Sequence, residues 1–97
     1  MKIEKKLDGN TLVFALDGRL DTTTAPELES ALGELNGVKE LVIDMKNLDY
    51  ISSAGLRVIL KVQKIMNEQG SMKLKSVGES IMEVFEITGF SDFLTIE

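Results

Sequence analysis

The chain has no cysteine and no histidine. The first absence removes disulfides, thiolate metal sites and cysteine nucleophiles. The second removes the commonest general base and the commonest metal ligand. An excess of positive charge is missing as well. A formal net charge of −5 at pH 7 argues against DNA or RNA as a partner and against an anionic membrane surface. No apolar run reaches the length that spans a bilayer. The N-terminus alternates charged and apolar residues, unlike a signal peptide. The chain is therefore expected to be the mature protein, cytoplasmic, with no nucleic acid partner and no direct membrane insertion. Its 97 residues and ordinary apolar fraction of 43% suit a single domain, residues 1–97, near the lower size at which one core suffices without staples.

What is present reads in order as alternating strands and helices. Residues 2–7 place Ile3 and Leu7 against Lys2, Glu4 and Lys6, the pattern of a half-buried edge strand. Asp8-Gly9-Asn10 is a strong turn signal, and the continuously apolar Leu12-Val13-Phe14-Ala15-Leu16 predicts an interior strand paired with the first. Asp17-Gly18-Arg19-Leu20-Asp21 leads out of it. Thr24-Ala25-Pro26-Glu27 fits a capping box with proline in the first turn. Leu28, Ala31, Leu32 and Leu35 give the following helix one apolar face, and Asn36-Gly37 ends it. Further on, residues 72–77 alternate as a strand and residues 79–88 form an amphipathic helix closed by Gly89. Leu94-Thr95-Ile96 is either a final strand or an anchored tail.

The centre of the chain is residues 41–56. Leu41-Val42-Ile43 is a short β-branched run with Asp44 at its exit, and residues 46–50 are polar and turn-like. From Ser53 the period becomes helical: Gly55, Ile59, Val62 and Met66 recur on one stripe, with Arg57, Lys61, Lys64 and Glu68 opposite. Gly70 is the stop, after a helix running from Ser53 to about Gln69. A pair of serines thus sits where a strand exit becomes a helix. The first amides of a helix lack internal partners and that end is partly positive. Ser53 there is either simply an N-cap or a residue whose phosphate several amides would welcome. Gly55, lacking a Cβ, lets backbone approach such a group.

The order ββαβαβα implies parallel strands joined right-handedly, plus one antiparallel hairpin strand: an α/β single domain, mostly parallel sheet with an N-terminal hairpin, backed by helices. Strand exits then share one rim, where sites tend to gather. This brings residues 17–23 near residues 44–53, an acidic, hydroxyl-bearing corner of Asp17, Asp21, Asp44, Asp49, Ser52 and Ser53. Two carboxylates there suit acid/base work or a magnesium ion; equally, acids at strand exits are solvated or cap helices. An aspartate phosphoacceptor at Asp44, as in response-regulator receivers, would need an acidic pair after the first strand. That strand instead runs into a hairpin at Leu7-Asp8-Gly9. A nucleotide cradle would need a Walker loop or Gly-x-Gly-x-x-Gly, and neither is present.

The segment Leu48-Asp49-Tyr50-Ile51-Ser52-Ser53-Ala54-Gly55-Leu56 resembles the signature of STAS domains, the anti-sigma factor antagonists of bacteria. Gly18-Arg19-Leu20-Asp21 with Thr24-Ala25, Leu41-Val42-Ile43-Asp44, and residues 85–90 extend the resemblance over nearly the whole chain. It implies a STAS-like fold and a regulatory protein that performs no catalysis and takes no cofactor or metal. It implies binding to an anti-sigma factor with serine kinase activity, which releases a sigma factor. Phosphorylation at Ser53 switches that binding off, and a metal-dependent serine phosphatase restores it. The partner surface would comprise Asp21, Thr22, Asp49, Ser52, Ser53, Gly55 and Leu56. Two departures from the family pattern stand out: Ser52 replaces the usual acidic residue before the acceptor, and Ala54 the second hydroxyl residue. Ser52 is accordingly a second candidate acceptor. The same fold also serves non-switching STAS subunits of ABC lipid transporters or scaffold complexes, and an enzyme using the acidic rim is the reading from another class.

Overall fold

The computed structural model describes residues 1–33 and 35–97. Its edge hairpin follows from the N-terminal pattern. Strands β1 (Lys2–Asp8) and β2 (Thr11–Leu20) pair antiparallel, from Lys2 opposite Asp17 to Asp8 opposite Thr11. Gly9 and Asn10 alone make the turn, and Gly9 takes a φ of +61°, a region open to glycine at no steric cost. Lys2, Lys5 and Lys6 line the outer strand, where lysine discourages a second chain from adding itself.

Strands β3 (Glu40–Ile51) and β4 (Ser71–Lys75) continue the sheet in parallel, in the order β1-β2-β3-β4. Helix α1 (Ala25–Ala31) joins β2 to β3, α2 (Ser53–Gln69) joins β3 to β4, and α3 (Glu79–Thr88) follows. Both crossovers step the same way across the sheet, so right-handed connections lay α1 and α2 on one face. The side chains agree. Leu12, Leu41 and Met72 are neighbours across three strands, as are Phe14, Ile43 and Leu74, and all six are buried. The intervening rows, Val13-Val42-Lys73 and Ala15-Asp44-Lys75, face the other way and are half-buried or exposed. The apolar run 12–16 is thus an interior strand covered on one face only. Because strand order never reverses, the parallel part of the sheet has no switch-point crevice.

Several local expectations need correction. Helix α1 ends at Ala31, with Leu32 as its C-cap, short of the run to Leu35 that apolar spacing predicts. Gly33 follows, a poor helix former, and Leu35 and Val38 reach the same core from irregular backbone. Residues 46–50 are strand, not turn, and β2 continues through Leu20. Gly70 ends α2 in extended geometry, φ −180°, rather than the left-handed C-cap that a terminal glycine suggests. That geometry is seen instead at Gly89, φ +79°, after α3. The C-terminal segment is an anchored tail. Leu94 is buried, the Leu74 N–H donates to the Thr95 carbonyl at 2.8 Å, and the Glu97 N–H donates to the Leu74 carbonyl at 2.9 Å.

Candidate functional site

The rim carrying the two serines is built by strand irregularity. Opposite β2, strand β3 holds two extra residues. The pairing shifts between Ala15/Asp17 and again between Gly18/Arg19, where Leu48 faces Gly18 and Tyr50 faces Arg19. Asp49 is the residue left over at the second bulge. Each bulge resets the inward direction by one residue, so Met45, Leu48 and Ile51, three apart, all point into the core and are buried. A strand read for period two looks like a turn here, because its alternation has been broken twice. The last ladder bond, from the Ser52 N–H to the Leu20 carbonyl at 2.8 Å, ties the end of β2 to the start of α2. The turn that begins at Asp21 thus leaves β2 beside the start of α2.

Asp21 organises its side of the rim. Its Oδ1 accepts from the Thr23 hydroxyl at 2.7 Å and from the Thr23 and Thr24 amides at 3.0 and 3.2 Å. Thr24 Oγ1 in turn accepts from the Asp21 amide at 2.8 Å and donates to the Arg19 carbonyl at 2.7 Å. The expected capping box at Thr24 is therefore not made. Thr24 has helical dihedrals and makes no side-chain cap bond, and the reciprocal bonds run one turn earlier, between Asp21 and Thr24. The Thr23 hydroxyl is the largest influence on the Asp21 carboxyl and lowers its pKa. Desolvation, next in size, opposes it, and the amides of Thr23 and Thr24 lower it further, so the net shift is downward.

On the other side the two serines divide their roles. Ser52 is extended (φ −97°, ψ 174°) and its Oγ accepts from the Gly55 N–H at 3.3 Å, so Ser52 is the N-cap of α2. Ser53 is the first helical residue, exposed, and its hydroxyl has no hydrogen-bond partner among the described residues. This corrects the reading of Ser53 as the cap. Gly55 and Leu56 are buried. A Cβ on Gly55 would come to 2.6 Å from Leu20 Cγ, so this glycine lets α2 sit down on the end of β2. Removing the cap by Ser52→Ala is expected to cost about 0.5–1 kcal/mol, a fall in Tm of roughly 2–8 °C for a domain of this size. Ser53→Ala should leave Tm nearly unchanged, since alanine is the better helix former. Thermal melts of the two single variants check both.

Arg19 and Tyr50 complete the rim and escape sequence reading. They face each other only because of the second bulge. The guanidinium carbon lies 4.3 Å from the ring centroid, a cation–π stack, and Nε stands 3.8 Å from Asp21. Asp44 is not part of this corner. It sits mid-strand on the open face, accepting from the Lys46 amide at 3.0 Å. Among the described residues no three acidic side chains are grouped as metal ligands. A groove of about 590 Å³ lies along the outer face of α2 between Glu29 and Glu68 and includes none of Asp21, Asp49, Ser52 or Ser53. Among the described residues no helix is long and apolar enough to cross a membrane. The rim is thus an acidic, hydroxyl-bearing surface of Asp21, Asp49, Ser52 and Ser53.

Known proteins resemble this chain in sequence and in fold. The STAS domain family matches residues 2–97. A candidate anti-sigma factor antagonist of Bordetella bronchiseptica, BtrV, is 42% identical over 88 residues, covering 88% of this chain and 75% of that protein. The anti-sigma-B factor antagonist of Bacillus subtilis is 31% identical over 98 residues, covering 99% of this chain and 90% of the relative. Among solved structures, the anti-sigma factor antagonist SpoIIAA in its unphosphorylated form superposes with a TM-score of 0.84 at 16% identity, over 99% of this chain and 88% of that one. The phosphorylated form of the Bacillus protein superposes at 0.78 and 16% identity, over 99% and 91%. At these identities the structural likeness speaks for the fold.

Proposed function

The chain belongs to the STAS domain family, and on that footing we propose that it is an anti-sigma factor antagonist switched by phosphorylation of Ser53. The names of its relatives support the role. One observation carries the switch: of two adjacent serines, Ser52 is committed to capping α2, whereas Ser53 presents a free, exposed hydroxyl. Unmodified, the rim of Asp21, Thr22, Asp49, Ser52 and Ser53, held from below by Gly55 and Leu56, meets an anti-sigma factor with serine kinase activity and so frees the sigma factor. In the transfer step the Ser53 oxygen attacks the γ-phosphorus of ATP on the partner. An O–P bond forms, the bond to the bridging oxygen breaks, ADP leaves, and the hydroxyl proton passes to a base or water at the kinase site. The modified chain lets go until a metal-dependent serine phosphatase hydrolyses the ester. The chain itself catalyses nothing in this cycle, which would run in the cytoplasm.

Two measurements test the proposal. Affinity capture from the native cytoplasm should recover an ATP-binding anti-sigma factor. Recovery of transporter subunits instead would replace the switch with the transporter or scaffold reading. Incubation with that kinase and ATP, followed by peptide mass spectrometry, should place phosphate on Ser53 and not on Ser52. Labelling that survives Ser53→Ala and disappears in Ser52→Ala would move the acceptor to the cap.

A further inference from the structure

Helix α2 carries its cations on one outward stripe, and they are not equally engaged. Lys61 is held by Glu29 of α1 at 3.2 Å. Arg57, one turn nearer Ser53, is exposed and has neither ion-pair nor hydrogen-bond partner among the described residues. It follows Ser53 by four positions on the same helix, the spacing at which side chains are neighbours, with Cβ atoms about 5–6 Å apart. Helical side chains lean toward the N-terminus, so Arg57 leans toward Ser53 and not away from it. The start of a helix by itself would favour an anion no more here than in α1. An uncommitted guanidinium at that spacing is the particular feature of this one.

We propose that Arg57 is the intramolecular partner of the phosphate on Ser53, a positioning residue for the switched-off state; this rests on the reading of Ser53 as acceptor. The guanidinium has a planar fork of donors that matches two phosphate oxygens, and such charge-assisted pairs are stronger than neutral ones. Across the rim, Asp21 and Asp49 repel the phosphate, and Arg19 is committed to its stack on Tyr50 and its approach to Asp21. Arg57 therefore decides where the phosphate rests. It holds the group against the helix, so that the added charge stays on the surface a partner must cover. By favouring the dianion it also lowers the second phosphate ionisation, ordinarily near 6, keeping the group more fully charged at neutral pH.

The test uses the full chain with phosphoserine installed at position 53 by ligation or genetic encoding, so that no kinase is needed. Phosphorus NMR titration should give a second ionisation about 0.3–0.5 pH unit higher in Arg57→Gln than in wild type, with Arg57→Lys between them. Lys61→Gln, one turn further along and paired elsewhere, should titrate as wild type. Superposable curves for wild type and Arg57→Gln would overturn the proposal and leave the Ser53 switch standing. A kinase that ignores Ser53 would overturn the switch and leave the Arg57 titration unaffected. The unmodified Arg57→Gln chain should melt with wild type, so that any shift reports the pair and not the fold.

Discussion

Ser53→Asp is expected to bind the anti-sigma factor about a hundredfold more weakly than the wild type, while Ser53→Ala binds normally and all three proteins melt together. The effect is electrostatic. Phosphate brings roughly −1.5 to −2 charges at neutral pH, and aspartate brings one. Either lands on a rim that already carries the Asp21 carboxylate, hydrogen-bonded by the Thr23 hydroxyl, and faces a partner holding ATP, itself an anion. Two unit charges about 6 Å apart at an effective dielectric near 20 repel by roughly 3 kcal/mol before salt screening, which corresponds to about a hundredfold in affinity. Attraction to the helix dipole opposes this by only about 0.3–1 kcal/mol, so repulsion and desolvation at the interface dominate. The fold should not notice, because the cap of α2 is Ser52 and the Ser53 hydroxyl holds nothing in place. Calorimetry with wild type, Ser53→Ala and Ser53→Asp decides the matter. Equal affinities would leave position 53 without a role in the switch, and unfolding of the Asp variant would mean that the charge acts on α2 instead.

Gly70→Ala should be among the most destabilising single changes in the chain, although alanine is ordinarily the more favourable residue near a helix. The backbone at Gly70 is extended (φ −180°), a conformation any residue adopts, so conformational freedom is not what the glycine provides. What matters is space. A Cβ at Gly70 would run into the backbone carbonyl of Lys39, which accepts from the Ser71 N–H at 2.9 Å where β3 and β4 begin. A flexible side chain could rotate away from the intruder, but here both sides of the clash are backbone. Relief requires α2 or the start of β4 to move. A cost of about 3 kcal/mol is expected, equivalent to a fall in Tm of roughly 12–24 °C, with α2 and the rim otherwise intact at low temperature. A thermal or denaturant melt checks it, and a Tm within a few degrees of the wild type would show that this close approach relaxes freely. Gly55→Ala meets the Leu20 side chain first, at 2.6 Å from Cγ. Its effect should be smaller in stability and larger in the setting of the serine pair.

Much of this was legible from residue types alone. The turn signal Asp8-Gly9-Asn10 between two strand-like stretches made the hairpin legible, although Leu7, which the alternation of the first strand places half-buried, is exposed. The register answers to burial, since a slip by one would turn Leu12, Phe14 and Leu16 to solvent. The helical stripe from Ser53 to Gln69 determined the extent of α2, and residues 48–56, which overlap its start, carried the family resemblance that the comparisons bear out. The tertiary structure decided the rest wherever one residue type had two uses. Two serines in a row are equally good caps by composition. The choice was made by the Ser52 N–H bond to the Leu20 carbonyl, which keeps residue 52 extended and leaves residue 53 to begin the helix. Residues 46–50 hid a strand because two bulges interrupt the period on which strand recognition depends, and those same bulges set Tyr50 opposite Arg19. Thr24 lost the cap to Asp21 through backbone dihedrals that residue type does not dictate. Glycine at 55 and 70 marks contact with Leu20 and Lys39, residues 35 and 31 positions earlier in the chain. Local pattern reports on neighbours along the chain, and these roles were set by neighbours across space.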